Sequence, residues 1–447
     1  MKITIDNLGK IVHGEIELND LTVLVGDNNS GKTYVTYTIY GLLKNWTDFV
    51  NYNSFDSIEK RLRIEGQIVL EKEEVLSVLG SSVISDSQQF QRRIRELFND
   101  KERILSTAQV KVVFENPVTF KDAVKKISVG DTIFLKGEMS ANRLTISYTK
   151  QNDRDIDGKL FRKIVGDLFS SLVLDDIFPD PIIITAERLG ISLFYKELDE
   201  KRNSLIEGLQ KLDESDGNMH PFELIMSMSA YYAMPIRDHI GFTRNLDNIK
   251  KNSSSVDASY AIDIVRSILG AEFKKENKQD IRFYTKNKRA NKFDIPLYLA
   301  SSSARCIVDI YFYLKHLAKV GDVLIIDEPE SHLTLGNQRL MAKLIAAIIN
   351  LGVKVFITTH SDFLVKELNN LILLSNDFEG KLDWLKKNRS YYLASDCIAY
   401  NRVSVYQAKA GYLDRLNVTR KGMEIPFFDD EINKIFSVAS DLDYMID

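Results

Sequence analysis

The sequence predicts an α/β fold in which helices flank a parallel or mixed β-sheet and a large insertion interrupts the core. Three predominantly apolar runs support this prediction: Leu21–Val25, Val323–Asp327 and Lys354–Thr358. Such runs are typical of strands buried on both faces, and each is followed by a polar loop and a helical pattern. Strands that alternate with helices favour a parallel sheet.

The N-terminal segment is predicted to hold three strands and one helix. The strands are Lys2–Asp6, Val12–Leu18 and Leu21–Val25, with glycines and an Asn-Asp pair between them. A loop at Gly26–Gly31 follows. A helix is then expected from about Lys32 to Lys44.

The middle of the chain mixes both patterns. Helices are expected near residues 57–76 and 86–104, and most of Glu187–Gly270 has helical spacing. The predicted strands are Val110–Phe114, Thr132–Lys136, Leu144–Tyr148 and Pro181–Ala186. A hairpin of Ile281–Tyr284 and Phe293–Leu297 has a basic tip, and its cations are Lys286, Lys288, Arg289 and Lys292.

The last third of the chain continues the alternation. Helices are expected at Ser301–Lys319, at Asn337–Asn350 and after Ser361, and a short strand is expected near Arg402–Ala408. An acidic helix then follows. Two distant cysteines, Cys306 and Cys397, are interpreted as reduced thiols.

Composition excludes several classes of protein. The 447 residues are 44% hydrophobic and 27% charged, which is ordinary for a globular protein. The net charge of −4 gives no global signature of nucleic-acid binding. Since neither a signal peptide nor a run of about 18 apolar residues is evident, we expect a cytoplasmic protein without a membrane partner.

The segment from Gly26 to Thr33 matches the pattern G-x-x-x-x-G-K-[ST] at every position. Glycines let backbone N–H groups turn toward phosphate oxygens at the positive end of a helix. Lys32 is expected to contact the β- and γ-phosphates, and the Thr33 hydroxyl to ligate Mg²⁺. The predicted nucleotide-binding residues of this loop are Gly26, Asn28, Asn29, Ser30, Gly31, Lys32 and Thr33. ATP and Mg²⁺ are therefore the expected cofactors.

Two further strand ends carry candidate catalytic groups. Asp327 is predicted to hold the metal, and Glu328 to act as general base toward the attacking water. His360, just past the next strand, is predicted to contact the γ-phosphate. The alternatives are a solvated acidic pair at a strand end and a structural histidine.

One nucleotide must meet all these residues, although about 300 positions separate them in the sequence. We therefore expect a discontinuous ATPase core of residues 1–45 and 280–375. Residues 46–279 form an inserted lobe in this interpretation, and 376–447 a C-terminal α/β extension.

These motifs resemble those of the ABC-type ATPases of the SMC, RecF and OLD-like group. Gly26–Thr33 is similar to their phosphate loop, Ile325–Leu333 to their D-E-P-E-x-H-L segment, and Ile357–Leu364 to their T-T-H-S-x-x-L switch. Leu299–Arg305 lies where the group carries its signature sequence. The resemblance implies that Ser301, Ser302 and Ser303 contact the γ-phosphate of a second copy, in a head-to-tail dimer. Ser303 stands where a glycine is usual.

The chain departs from the group at other positions. Thr334-Leu335 replaces the usual His-Pro or Asp-Pro, and no glutamine marks the usual Gln-loop. Ile184–Arg188 resembles the P-A-E-R stretch of OLD-like ATPases, so Glu187 and Arg188 could take the place of that loop. For Arg188 the two alternatives are a nucleotide or interface role and an ordinary surface ion pair. The only Asp-x-Asp after His360 is Asp441-Leu442-Asp443, so we expect no Toprim nuclease in this chain.

Two main function hypotheses follow from the resemblance. One is an ATP-switched sensor or scaffold that controls a separate effector, probably a nuclease, in bacterial antiphage defence, as in systems of the PARIS and Septu types. The other is a RecF-like DNA repair or recombination ATPase, for which DNA would be a partner. A transporter subunit is disfavoured, because membrane-coupling features are absent.

Overall fold

The computed structural model places the chain in two compact units: residues 1–17 with 37–181, and residues 18–36 with 182–447. The residues described are 1–46, 50–82, 87–113, 120–129, 132–149, 157–173, 178–194, 232–249, 251–275, 281–285 and 293–446.

The strands, in chain order, are β1 (Lys2–Leu8), β2 (Ile11–Glu17), β3 (Leu21–Gly26), β4 (Gln67–Leu70), β5 (Gln109–Val113), β6 (Ala123–Val129), β7 (Thr132–Ser140), β8 (Arg143–Tyr148), β9 (Pro181–Ile184), β10 (Glu272–Lys275), β11 (Ile281–Tyr284), β12 (Asp294–Pro296), β13 (Val323–Asp327), β14 (Lys354–Thr359), β15 (Val403–Lys409), β16 (Tyr412–Leu416), β17 (Val418–Thr419) and β18 (Gly422–Met423). The helices with bounds in the described residues are α1 (Lys32–Lys44), α2 (Asp56–Glu65), α3 (Lys72–Ser82), α4 (Ser87–Phe98), α5 (Gly158–Val173), α6 (Met234–Arg244), α7 (Leu246–Ile249), α8 (Ser259–Leu269), α9 (Ser302–His316), α10 (Leu335–Asn350), α11 (Asp362–Leu373), α12 (Lys381–Lys387) and α13 (Pro426–Ile446).

The first unit is built on antiparallel strands. β1 pairs with both β2 and β5, and β4, β8, β7 and β6 form a separate four-stranded sheet in that order. Helix α5 packs closely on this second sheet at Gly137, where an added Cβ would lie 2.4 Å from the Leu172 side chain. A larger residue there would push the helix away from the strand.

The second unit has a mixed sheet with the strand order β16-β15-β3-β14-β13-β9. β3 pairs in parallel with β14 on one side and β15 on the other, and β13 pairs in parallel with β14. Every residue of β3 and β13 is buried, because helices cover both faces. The predicted mixed α/β fold is confirmed.

The C-terminal segment contributes to this sheet. Val405 of β15 lies opposite Val23 of β3, and Ala408 lies opposite Gly26. The sequence analysis predicted that residues 376–447 form a C-terminal extension. In the structure these residues belong to the same compact unit as the central strands. Strand β15 belongs there because its backbone satisfies the hydrogen-bonding edge of β3 that β14 leaves open.

Several expected elements are shorter than their patterns suggested. The helix expected over residues 57–76 is interrupted, since Gly66 ends α2 in a left-handed conformation and β4 follows. The helix expected over 86–104 ends at Phe98. The hairpin of β11 and β12 is confirmed, and the third strand β10, which the sequence did not indicate, pairs with β11. The basic tip at 286–292 lies outside the described residues.

None of the helices in the described ranges combines the length and apolar character needed to cross a bilayer.

Candidate active site

The loop between β3 and α1 has a backbone that requires glycine. Gly26 has φ +148°, and an added Cβ would lie 2.5 Å from the carbonyl oxygen of Ala408 on the neighbouring strand. Asn29 and Gly31 also have positive φ, at 62° and 101°. These reversals form a concave run of backbone amides before helix α1, an arrangement that binds anions.

Lys32 is the first residue of α1, and its side chain reaches back to the start of this loop. Its Nζ donates to the carbonyl oxygens of Gly26, at 3.0 Å, and Asp27, at 2.7 Å. The side chain is only 7% exposed. Burial lowers the pKa of Lys32, while the nearby carboxylates, Asp327 and Glu328 first among them, oppose this shift. Because both hydrogen-bond acceptors are neutral carbonyls, a phosphate is a stronger acceptor for this ammonium.

The loop also has polar capacity to spare. The Ser30 hydroxyl is buried and, within the described part of the chain, has no hydrogen-bond partner. A buried polar atom of this kind costs stability unless something satisfies it. A phosphate in the concavity would supply an acceptor for this group and for Lys32, so the loop fits a nucleoside triphosphate.

Asp327 and Thr358 lie opposite each other at the ends of β13 and β14. The Thr358 hydroxyl donates to Asp327 Oδ1. Asp327 is 5% exposed, and burial raises its pKa to about 6, against the hydrogen bond from Thr358. A divalent cation at this carboxylate would remove the cost of ionising it, so Asp327 could hold Mg²⁺, for which Thr33 is the other predicted ligand.

Glu328 is held by its backbone in an unusual conformation. It has φ +51°, which is sparsely populated by residues other than glycine, and its N–H donates to Thr358 O at 3.2 Å. Its side chain accepts from the Ser331 hydroxyl at 3.0 Å, and His360 Nε2 lies 3.6 Å from its other oxygen. The two predicted catalytic side chains are therefore neighbours.

His360 is tied to the same cluster through its backbone. Its N–H donates to Glu330 Oε1 at 2.7 Å, and Thr359 Oγ1 donates to the same oxygen at 2.8 Å. Burial lowers the pKa of His360, and the Lys32 charge lowers it further. Both effects favour a neutral imidazole at this position.

Glu330 is a member of the cluster that sequence reasoning did not select. Burial raises its pKa, and its Oε2 atom is buried without a partner among the described residues. Its role is to anchor the loop that carries His360. The sequence feature that could have indicated this role is its place as the second glutamate of the Asp-Glu-Pro-Glu motif, directly after a buried strand.

For Arg188 the sequence left two roles open, a nucleotide or interface contact and an ordinary surface ion pair. The surface ion pair is wrong, because Arg188 is 2% exposed. Its guanidinium donates to the backbone carbonyls of Asp327, at 2.6 Å, and Glu328, at 2.5 Å, and more weakly to that of Thr185, at 3.3 Å. Arg188 therefore fixes the strand end from behind.

A second buried chain of hydrogen bonds lies beside Arg188. The Thr185 N–H donates to His239 Nδ1 at 3.2 Å, so the proton of this histidine lies on Nε2. That nitrogen donates to Asp309 of helix α9 at 3.0 Å. The helix that begins with the predicted signature serines is thereby linked to the segment that carries Arg188.

Those serines lie at the N-terminus of α9. Ser301 caps the helix, accepting from the Ala304 N–H at 3.3 Å, and the Ser303 hydroxyl donates to His332 O at 2.9 Å. His332 lies in the loop that follows Glu328 and has φ 62°. The structure therefore joins the signature segment to the acidic loop.

The arrangement can bind and cleave a phosphoanhydride. The ends of β3, β13 and β14 bring together the Lys32 loop, Asp327 with Glu328, and His360. A bound Mg²⁺ would neutralise phosphate charge that develops during transfer. The protein's own residues supply an anion cradle, a cation at Lys32 and a carboxylate able to take a proton.

Comparison with solved structures returns SMC head domains. One from Thermotoga maritima is 10% identical, with 94% of this chain and 98% of that chain covered and a TM-score of 0.32. One from Pyrococcus furiosus, with an extended coiled coil and bound to the C-terminal domain of ScpA, is 12% identical, with 98% of each chain covered and a TM-score of 0.32. A third, bound to the C-winged helix domain of ScpA, is 10% identical, with 93% and 96% covered and a TM-score of 0.36.

A search of curated proteins found no match. A family model described as the AAA ATPase domain matches residues 1–365, which is most of the chain and includes the cluster around Lys32 and Glu328. The chain therefore belongs to the AAA ATPase domain family and is a P-loop ATPase.

Proposed function

We propose that this chain hydrolyses Mg²⁺-ATP at the site around Lys32 and Glu328, and that bound ATP joins two copies head to tail. The observation that carries the proposal is the convergence of three strand ends. The charges of Asp327 and Glu328 raise the pKa of Lys32, and the charge of Lys32 lowers the pKa of His360. These four side chains therefore lie close to one another.

Binding follows from the loop. ATP phosphates replace the two carbonyls that now accept from Lys32, while the Ser30 hydroxyl and the amides near Gly31 complete the cradle. Thr33 and Asp327 hold Mg²⁺. The raised pKa of Asp327 makes metal binding at this carboxylate pH-dependent, because the proton competes with the cation.

Hydrolysis depends on Glu328. Its carboxylate accepts the proton of the attacking water, and its orientation is fixed by Ser331 on the side chain and Thr358 on the backbone. His360, kept neutral, donates a hydrogen bond toward the γ-phosphate from the neighbouring strand end. Arg188 is a positioning residue in this scheme, because its guanidinium donates to the backbone carbonyls of Asp327 and Glu328 and so acts through that backbone.

The dimer follows from the signature segment. The N-terminus of α9 offers serine hydroxyls and a positive helix end, which suit a phosphate. By resemblance, Ser301–Ser303 of one copy close the site of the other, an isologous arrangement with two ATP molecules in the interface. The bond from Ser303 to His332 would connect this contact to the acidic loop.

We further propose that the ATP-bound dimer controls a separate effector, a nuclease, in defence against phage. Asp441 and Asp443 lie two positions apart on the exposed helix α13, so they point to different faces and are poorly placed to share a metal. The nuclease chemistry would then come from another protein. ATPase activity stimulated by DNA in the absence of any effector would instead favour the repair hypothesis.

The test mixes two inactive variants. Lys32→Ala removes the cation of the loop, and Ser301→Arg blocks the shared contact. If sites are shared, a mixed dimer has one intact composite site, and ATPase activity partly returns. Lys44→Ala, an exposed lysine on the same helix that pairs with Asp180, is the matched control and should hydrolyse ATP normally. Mixed dimers without any recovered activity would contradict the shared site.

A further inference from the structure

Helix α13 leaves the rest of the protein after its first turns. Phe428 is buried near its start, whereas every residue from 433 to 446 is exposed. A helix segment of this length is marginal in water on its own, because ordering the backbone is not offset by packing. The exposed part of α13 therefore gains most from a surface that covers it.

An apolar stripe runs along this helix. Its members are spaced alternately four and three residues apart: Phe428, Ile432, Ile435, Ala439, Leu442 and Ile446. This spacing places them on one face and is the spacing of helices that pack on a partner. Ile435 is 68% exposed and Ile446 is 84% exposed. Soluble monomers rarely leave so continuous an apolar face in water.

Both acidic and apolar residues border the stripe, since Phe436 and Val438 are exposed beside it. Helix α13 carries five acids and one lysine, a net charge of −4: Asp429, Asp430, Glu431, Lys434, Asp441 and Asp443. Asp441 and Asp443 lie on either side of Leu442. Two such helices packed on each other would repel, so the surface that covers α13 must be apolar with a basic border.

The same chain has a surface of that kind. A cavity of about 560 Å³ opens between the end of α11, helix α12 and the turn between β17 and β18. Its apolar lining includes Leu373, Phe378 and Trp384, which are 40–44% exposed. Arg420 and Lys421 stand at its edge. Aromatic side chains beside cations are typical of strong contact points in protein interfaces.

The cavity has firm walls. The Asn369 side chain bonds both the N–H and the carbonyl of Met423, at 2.8 and 3.1 Å, which fixes the β17–β18 turn on α11. The approach is so close that a Cβ at Gly422 would lie 2.5 Å from Asn369 Cγ. On the other side, the rings of Trp384 and Tyr392 lie 5.5 Å apart. A ligand therefore meets a preformed surface.

We propose that the apolar face of α13 from one copy of the chain docks into the cavity beside Trp384 of a second copy. Leu442 and its neighbours fill the cavity, which brings the acidic end of the helix, with Asp441 and Asp443, near Arg420 and Lys421. The contact is between copies because α13 begins just after the β17–β18 turn and extends about 30 Å as a straight helix. Folding back onto its own cavity would break the helix.

This contact needs no nucleotide and is separate from the proposed ATP dimer. A second copy is the preferred occupant because it covers both exposed surfaces at once. A basic helix of another protein would cover α13 but leave the cavity open.

The test is sedimentation velocity of the full chain without nucleotide. The wild type should self-associate, and more weakly at high salt, since part of the attraction is between exposed charges. Arg420→Glu with Lys421→Glu reverses the cavity charges, and Asp441→Lys with Asp443→Lys reverses those of the helix. Each double variant should weaken association about tenfold, because two attractions become repulsions.

Mixing gives the decisive result. In one contact between the two double variants, the native helix meets the native cavity, and in the other the reversed helix meets the reversed cavity. Charges attract in both contacts, so the mixture should associate like the wild type. One chain with all four changes should do the same. Lys10→Glu with Lys319→Glu, an equal charge change at exposed sites elsewhere, should have no effect. A monomeric wild type, unaltered association in the double variants, or a mixture that fails to associate would overturn the proposal. A monomeric wild type that captures a basic amphipathic peptide would assign α13 to another protein.

Discussion

Replacing Arg188 with lysine should slow ATP hydrolysis while leaving ATP binding nearly unchanged. The guanidinium donates to the carbonyls of Asp327 and Glu328 at 2.6 and 2.5 Å, and these bonds stabilise the left-handed backbone of Glu328. Lysine keeps the charge but cannot reproduce the planar fork. In the proposed mechanism, the carboxylate of Glu328 then loses its fixed direction toward the attacking water.

The magnitude follows from the two short bonds. A hydrogen bond that involves a charged group contributes about 1.5–3 kcal/mol, so losing one of the two should lower the free energy of unfolding by about that amount. A misdirected general base forfeits much of its contribution, so kcat should fall roughly 10- to 100-fold. The KM for ATP should change little, because the hydrogen bonds of Arg188 go to the backbone of Thr185, Asp327 and Glu328 and, among the described residues, to none in the loop around Lys32.

The assay is steady-state ATP hydrolysis together with equilibrium binding of a labelled ATP analogue, for wild type and Arg188→Lys. A purely structural role would lower the amount of folded protein and leave the kcat of the folded fraction unchanged. Arg188→Leu, which leaves the carbonyls without a donor, should be less stable than Arg188→Lys. Equal kcat in wild type and Arg188→Lys at matched folded concentrations would refute the positioning role.

Three other changes test the site. Asp327→Asn should raise the free energy of unfolding at pH 7 without Mg²⁺ by about 3 kcal/mol. The reason is that the pKa of Asp327 is about 6 in the folded protein and lower in the unfolded chain, so the wild type loses stability as pH rises from about 4 to 6. Thermal unfolding against pH measures this, and a stability difference between variant and wild type that is the same at pH 3.5 would contradict it. Glu328→Gln should bind ATP but turn over about a hundredfold more slowly, whereas wild-type turnover would place the general base elsewhere. Gly26→Ala should abolish ATP binding, as its Cβ meets Ala408 O at 2.5 Å, while Gly190→Ala, with open space around it, should bind normally.

The sequence alone determined the chemistry of this protein. The phosphate loop, the Asp327-Glu328 pair and His360 are local patterns, in which a few adjacent residues set the backbone and the reactive groups. The strands β3, β13 and β14 were also predictable, because an apolar run between a turn and a helix records burial on both faces. Local order was therefore sufficient to select the candidate phosphate-binding residues.

Tertiary structure decided what supports them. Strand β15 lies beside β3 although nearly 380 residues separate them in the sequence. The sequence could not predict this pairing, because the backbone edge of a strand can pair with any strand of suitable pattern. Arg188 was recognised as unusual, but its partners are carbonyl groups, and every residue has one, so no residue type marked them. The same holds for the bond from Ser303 to His332. The chemistry of a side chain can be predicted from the local sequence. The backbone groups that folding brings to that side chain cannot be predicted in this way.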